Sequence, residues 1–167
     1  VTAMSYMFEQ CGQEKMTSLD LGDLFDTSNV NNMSHMFSGC GHNLTSLDLG
    51  DKFDTTKVTN MYRMFYHCGL SSMTTLDLGP AFIKIPDGTI TTTNSEGNTI
   101  EYGAHEEFLT VTGKPGACTI YAPESIYKNR TALKLNSTDT TATPTDLSYT
   151  RGTINPIYEP EWTRTST

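Results

Sequence analysis

The chain predicts an α/β solenoid of three stacked helix–strand units, with a parallel sheet on one side and a β-rich C-terminal cap. Three observations point there. One segment is written three times with small changes, VTAMSYMFEQCG from Val1, VNNMSHMFSGCG from Val30 and VTNMYRMFYHCG from Val58. The offsets, 29 and 28 residues, lie in the period range of stacked repeats. Each copy is followed by TSLDLGD, TSLDLGD or TTLDLG, and from Pro80 onward the period stops.

In the first part of each unit the apolar residues are Val1, Met4, Met7, Phe8 and Cys11, then Val30, Met33, Met36, Phe37 and Cys40, then Val58, Met61, Met64, Phe65 and Cys68. That spacing keeps them on one face of a helix. Gly12, Gly41 and Gly69 follow where a helix closes through a left-handed residue. Next comes an apolar–polar alternation, Met16, Leu19 and Leu21, then Leu44, Leu47 and Leu49, then Met73, Leu76 and Leu78, which predicts a short strand. Its intervening residues, Ser18 and Asp20 and their counterparts, face solvent. Phe25, Phe53 and Phe82 follow as a spine under the turn. A single unit cannot bury its own apolar face, so the units stack, strand beside strand.

After the repeats, residues 89–102 (TITTTNSEGNTIEY) predict a hairpin around Asn-Ser-Glu-Gly-Asn, and FLTV at 108–111 and ACTIYA at 117–122 predict two further strands. A short helix is expected over 124–134, and the Thr-rich stretch 136–150 reads as loop. The chain therefore divides into repeats over 1–29, 30–57 and 58–86, and a cap or small module over 87–167. The cap covers the open sheet edge and apolar face that a stack would otherwise expose.

VxxMxxMF, then LxxLDL and FDTSxV, closely resemble the BspA-like leucine-rich repeats of bacterial surface proteins and lipoproteins, over residues 1–86. CTIYAPESIY at 118–127 is similar to the closing element that often follows such repeats. The resemblance implies a leucine-rich-repeat array at the cell surface or outside the cell, with a role in adhesion or contact between cells. Its partners would be host or matrix proteins, or other surface proteins. The chain departs from the common repeat where an Asn ladder belongs, carrying Leu24, Lys52 and Ala81. The turn's backbone must then find other partners, for which Asp26 and Asp54, with Thr27 and Thr55, are placed as local caps.

Composition excludes several functions. The net charge is −8, with nine acids and four bases over 1–79 and ten acids and seven bases over 80–167. No Lys/Arg patch offers itself to nucleic acid or to an anionic membrane, and no apolar run reaches membrane-spanning length. Val1 already stands at the start of a repeat, so a longer precursor carrying any secretion signal is expected. Cys11, Cys40 and Cys68 occupy one repeated position. Stacked helices would hold their Cα atoms too far apart for a bridge, so they read as small apolar residues. No CxxC or Cys/His pair stands at metal-ligand spacing, and no cofactor is expected.

Two sets of residues are candidates for function. Asp20, Asp48 and Asp77 stack along a parallel sheet about 4.8 Å apart, either as a cation ladder or as a solvated acidic face. The exposed positions that vary between repeats lie on the helices instead, and Tyr62, Arg63, Tyr66 and His67 carry the aromatic and Arg character of binding surfaces. The histidines 35, 42, 67 and 105 lack a repeated nucleophilic or acidic companion, and the adjacent His105, Glu106 and Glu107 do not face one another, so the chain reads as non-enzymatic. The alternatives are a structural spacer without its own ligand, or a carbohydrate-binding C-terminal module using Tyr149, Tyr158 and Trp162.

Overall fold

The computed structural model describes residues 1–69, 72–106, 108, 118–128 and 152–155. These are mostly strands, with almost no helix. Strands β1 (Ser18–Asp20), β2 (Ser46–Asp48) and β3 (Thr75–Asp77) come from the three repeats. Strands β4 (Thr89–Thr93) and β5 (Thr99–Gly103) form an antiparallel hairpin, as the sequence predicts. Strand β6 (Cys118–Tyr121), helix α1 (Glu124–Lys128) and strand β7 (Gly152–Asn155) follow. One parallel sheet runs β1-β2-β3-β6, with β7 added along β6.

Register is set by the repeat itself. Leu19, Leu47, Leu76 and Ile120 align as one rung, and Asp20, Asp48, Asp77 and Tyr121 as the next. Leu47 and Leu76 are buried while Asp48 and Asp77 lie half-buried on the other face, the alternation expected of strands with one face in a core.

The three predicted repeat helices are absent. The segment from Met4 to Cys11 is a run of tight turns in which Met7 donates to the Met4 carbonyl, Glu9 to Tyr6 and Cys11 to Phe8. The alternate amides leave the segment altogether: Met4, Tyr6, Phe8 and Gln10 donate to the carbonyls of Asn32, Ser34, Met36 and Ser38 in the next repeat, at 2.8–3.1 Å. Met33, His35, Phe37 and Gly39 do the same toward Asn60, Tyr62, Met64 and Tyr66. An isolated helix of about ten residues is marginal in water. The stack offers every second amide a partner, so the chain takes turns that are left-handed at Tyr6, Gln10, His35, Arg63 and His67, with φ of 53–62°. Turns of this period still place the third and fourth residues on one face, which is why the apolar spacing resembles a helix.

The glycines after these turns are left-handed, as expected, but they close no helix. Gly12, Gly41 and Gly69 lead from the turns toward the strand, and a Cβ on them would meet Met16, Leu44 or Met73 within 2.6–2.8 Å.

The core is built from two columns of phenylalanine. Phe8, Phe37 and Phe65 stack at 5.2 and 5.3 Å, and Phe25, Phe53 and Phe82 at 6.2 and 6.1 Å. The second column is the predicted spine. Phe108 closes both, 5.2 Å from Phe65 and 6.1 Å from Phe82. It lies in a turn, so it does not open the strand predicted at 108–111, whose other residues lie outside the described ones. The carbonyls of Ala104, Glu106 and Phe108 accept the amides of Met61, Arg63 and Phe65, continuing the row of turns past the third repeat. The remainder of the helix expected to 134 and the loop at 136–150 also lie outside the described residues.

Where the Asn ladder was missing, Asp and Thr take over. Asp26 and Asp54 accept the amides of Ser28 and Thr56, as the sequence suggests. The fully buried Thr27 and Thr55 work between repeats rather than locally. Thr27 donates its hydroxyl to the Asp54 carbonyl at 2.8 Å, and the Thr55 hydroxyl accepts the Lys84 amide at 2.9 Å.

Candidate functional site

The aspartate rung is a row of turn caps. The carboxylate of Asp20 accepts the Gly22 amide at 2.7 Å, Asp48 that of Gly50 at 3.0 Å, and Asp77 that of Gly79 at 2.9 Å. Each cap ends a strand and turns the chain through a left-handed glycine, with φ of 72°, 84° and 75°. Burial raises the Asp77 carboxyl above its ordinary value, opposed by the Gly79 amide and reinforced by Asp51. Asp51 is itself raised, chiefly by desolvation and then by Asp23. Among the described residues no group of three or more His, Cys, Asp or Glu is arranged to hold a metal ion.

Cys40 and Cys68 are buried thiols outside any disulfide, in line with the apolar reading, whereas Cys11 is exposed. The argument from helix separation no longer applies, because turns stacked rung on rung bring Cys40 and Cys68 together. The Cys68 thiol hydrogen-bonds to the Cys40 sulfur and lowers its pKa, against the upward pull of burial.

Tyr62, Arg63, Tyr66 and His67 gather on the turn side of the stack, all half-buried. The Arg63 guanidinium lies over two rings, 5.0 Å from the Tyr62 centroid and 4.8 Å from the Tyr66 centroid, and Tyr66 stacks on His67 at 3.9 Å. The left-handed backbone at Arg63 and His67 turns these side chains to the surface at the same repeat positions as Tyr6 and Gln10.

The cluster is one end of a longer row that sequence reasoning missed. Tyr6 stacks on His35 at 4.7 Å and 13°, His35 meets Tyr62 edge-on at 5.3 Å, and Tyr62 packs on Tyr102 of β5 at 4.2 Å. Glu9 lies 3.8 Å from His35 Nδ1, an ion pair when the imidazole is protonated. The signal was present in the repeat, since Tyr6 and His35 share one position and Tyr62 is adjacent to it. Tyr102 could not be placed, because nothing in the sequence says that the hairpin folds back onto the third repeat.

His105 stands apart from the row, with Nδ1 2.6 Å from the Pro86 carbonyl oxygen. A carbonyl only accepts, so that nitrogen carries the proton and holds the turn from Gly103 to Glu106 against the end of the third repeat. Tyr149, Tyr158 and Trp162 lie outside the described residues. Among the described residues no helix is long and apolar enough to cross a membrane. No curated protein and no solved structure matches the chain. Residues 1–74 match the model of a family described as Mycoplasma protein of unknown function, DUF285.

Proposed function

We propose that the chain is a BspA-like leucine-rich-repeat solenoid of the bacterial surface, a non-enzymatic scaffold for adhesion or protein–protein contact outside the cell. The observation that carries this reading is the half-exposed aromatic row from Tyr6 to Tyr102, with Arg63 held between Tyr62 and Tyr66. Tyr and Arg on a rigid base lose little freedom when a partner covers them, and such residues dominate contact energies between proteins. The family match over residues 1–74 supports the assignment, because those residues hold most of the repeated motif. The β3–β6 pairing supports a C-terminal segment that caps the stack by continuing its sheet. The partner is a host or matrix protein, or another surface protein.

Tyr6 and His35 stack face to face, which takes one face of each ring away from a sugar. The test replaces Arg63 with Gln and Tyr66 with Ala together, leaving Tyr62 on Tyr102. Attachment of the displayed protein to host cells or matrix should fall about tenfold, the effect of losing about 1.4 kcal/mol at a contact hot spot. The unfolding midpoint should move little. Unchanged attachment would leave the chain as a spacer holding other domains away from the surface.

A further inference from the structure

Cys40 and Cys68 hold the same position in consecutive repeats, and the stack sets them side by side. Two backbone bonds bracket the pair, from the Gly39 amide to the Tyr66 carbonyl at 2.8 Å and from the Gly69 amide to the Cys40 carbonyl at 2.9 Å. Chains paired in this way hold equivalent Cα atoms about 4.8 Å apart. A disulfide spans Cα separations of about 4.4–6.8 Å. Gly69, next to Cys68, presses so closely on the second repeat that a Cβ on it would meet the Leu44 carbonyl oxygen at 2.8 Å. The two coils cannot draw apart here without breaking the seam.

The two cysteines are also disposed alike. Each follows a left-handed residue, Gly39 with φ of 62° and His67 with φ of 55°, and each donates its amide to the carbonyl of the phenylalanine three residues before it, Phe37 or Phe65. Cys40 is 0% exposed and Cys68 2%. The Cys68 thiol donates to the Cys40 sulfur, which favours the thiolate at Cys40. One sulfur is thus prepared as the nucleophile, and the other stands where a resolving thiol must stand.

We propose that Cys40 and Cys68 form an oxidation-closed cross-link between the second and third repeats, with a peroxide as the oxidant. The Cys40 thiolate attacks one oxygen of hydrogen peroxide. The O–O bond breaks, leaving a sulfenic acid on Cys40 and a hydroxide, which takes up the proton that the Cys40 thiol has lost. The Cys68 sulfur then attacks the Cys40 sulfur. The S–S bond forms, the S–O bond breaks, and the hydroxyl leaves as water with the Cys68 proton. Two thiols and one peroxide become one disulfide and two waters, so two electrons pass from the sulfurs to the peroxide. Hydrogen peroxide is little larger than water and reaches the pair through local openings of the stack. The cross-link closes a loop of about 28 residues and thereby restricts the unfolded chain. The site is distinct from the aromatic row and does not rest on its function.

The test treats the full chain, folded and reduced, with hydrogen peroxide, alkylates the remaining thiols in denaturant and maps tryptic fragments by mass spectrometry. Cleavage after Lys15, Lys52, Arg63 and Lys84 places Cys40 on fragment 16–52 and Cys68 on fragment 64–84. Oxidation should join these two fragments with the loss of two hydrogens. It should also raise the unfolding midpoint by about 5–10 °C, a gain that dithiothreitol reverses. Cys68→Ala, which lacks the resolving sulfur, should show no gain and should leave on Cys40 a sulfenic acid that a cyclic diketone traps. A parent chain in which Cys40 joins Cys11 or Cys118 instead would overturn the proposal. So would a pair that closes only in urea, a closed pair that lowers the midpoint, or an equal gain in Cys68→Ala.

Discussion

A Cβ on Gly50 would lie 2.2 Å from the Gly22 carbonyl oxygen, and one on Gly79 would lie 2.2 Å from that of Gly50, while a Cβ on Gly22 meets nothing within 4 Å. The three glycines share one motif and one left-handed conformation but differ in the backbone that stands beside them in this chain. Gly22→Ala should therefore cost only the left-handed penalty, about 1–2 kcal/mol. Gly50→Ala adds overpacking against backbone and should cost about 2–5 kcal/mol, read by denaturant titration of both variants. The neighbouring aspartate makes a second case. Burial lifts the Asp77 carboxyl in the folded state above its ordinary 3.8, so the folded protein holds that proton more tightly than the unfolded chain. Stability then falls as pH rises from that ordinary value through the raised one. Asp77→Asn keeps the oxygen that accepts the Gly79 amide and removes the charge. It should match or exceed the parent above this window and flatten its pH profile, whereas Asp77→Ala flattens the profile too but also loses the cap, and should lie about 1 kcal/mol below Asp77→Asn at any pH.

At the scale of elements, the strands, their alternation, the hairpin and the phenylalanine spine were legible in the sequence, because each leaves a local mark. Leu19, Leu47 and Leu76 alternate with polar residues, and Thr89–Thr93 and Thr99–Gly103 flank a turn sequence. The turn segments were not legible. Met4, Met7, Phe8 and Cys11 satisfy a helical spacing as well as a turn spacing, and the amide of Tyr6 is decided by the Ser34 carbonyl, twenty-eight residues away. The cysteine separation was misjudged for the same reason, since it was inferred from the width of helices that do not form. At the candidate surface Tyr62, Arg63 and Tyr66 were found by their variation between repeats, but their continuity with Tyr6, His35 and Tyr102 depends on the stacking. The far-ultraviolet circular dichroism of the protein should therefore show a β-type band without the double minimum of α-helix. A strong helical signal would contradict the turn assignment. Phe53→Ala, in the middle of the spine, should cost about 3–5 kcal/mol by the same denaturant measurement.

For the whole molecule, the backbone hydrogen bonds among the described residues of the turn segments run largely from one repeat to the next, so each repeat's protection depends on its neighbours. In this chain the apolar residues of the first repeat are only partly buried, while those of the second are buried. Hydrogen exchange should follow that gradient, with the amides of Met33, His35 and Phe37 exchanging more slowly than those of Met4, Tyr6 and Phe8 by at least tenfold. Uniform protection across the two sets would mean that the stack opens only as a unit. The two offsets with which the chain repeats itself have a physical origin in this arrangement. From the glycine after the turns to the first strand residue there are six steps in the first and third repeats, Gly12 to Ser18 and Gly69 to Thr75, but five in the second, Gly41 to Ser46. The turn rows and the sheet both keep their register across that difference. The corner between them therefore works as an expansion joint: residues can be gained or lost there while both hydrogen-bonded seams stay aligned. The chain uses the same freedom on a larger scale before its fourth rung, where the whole β4–β5 hairpin is let out between Phe82 and Ala104 and the stacking resumes beyond it.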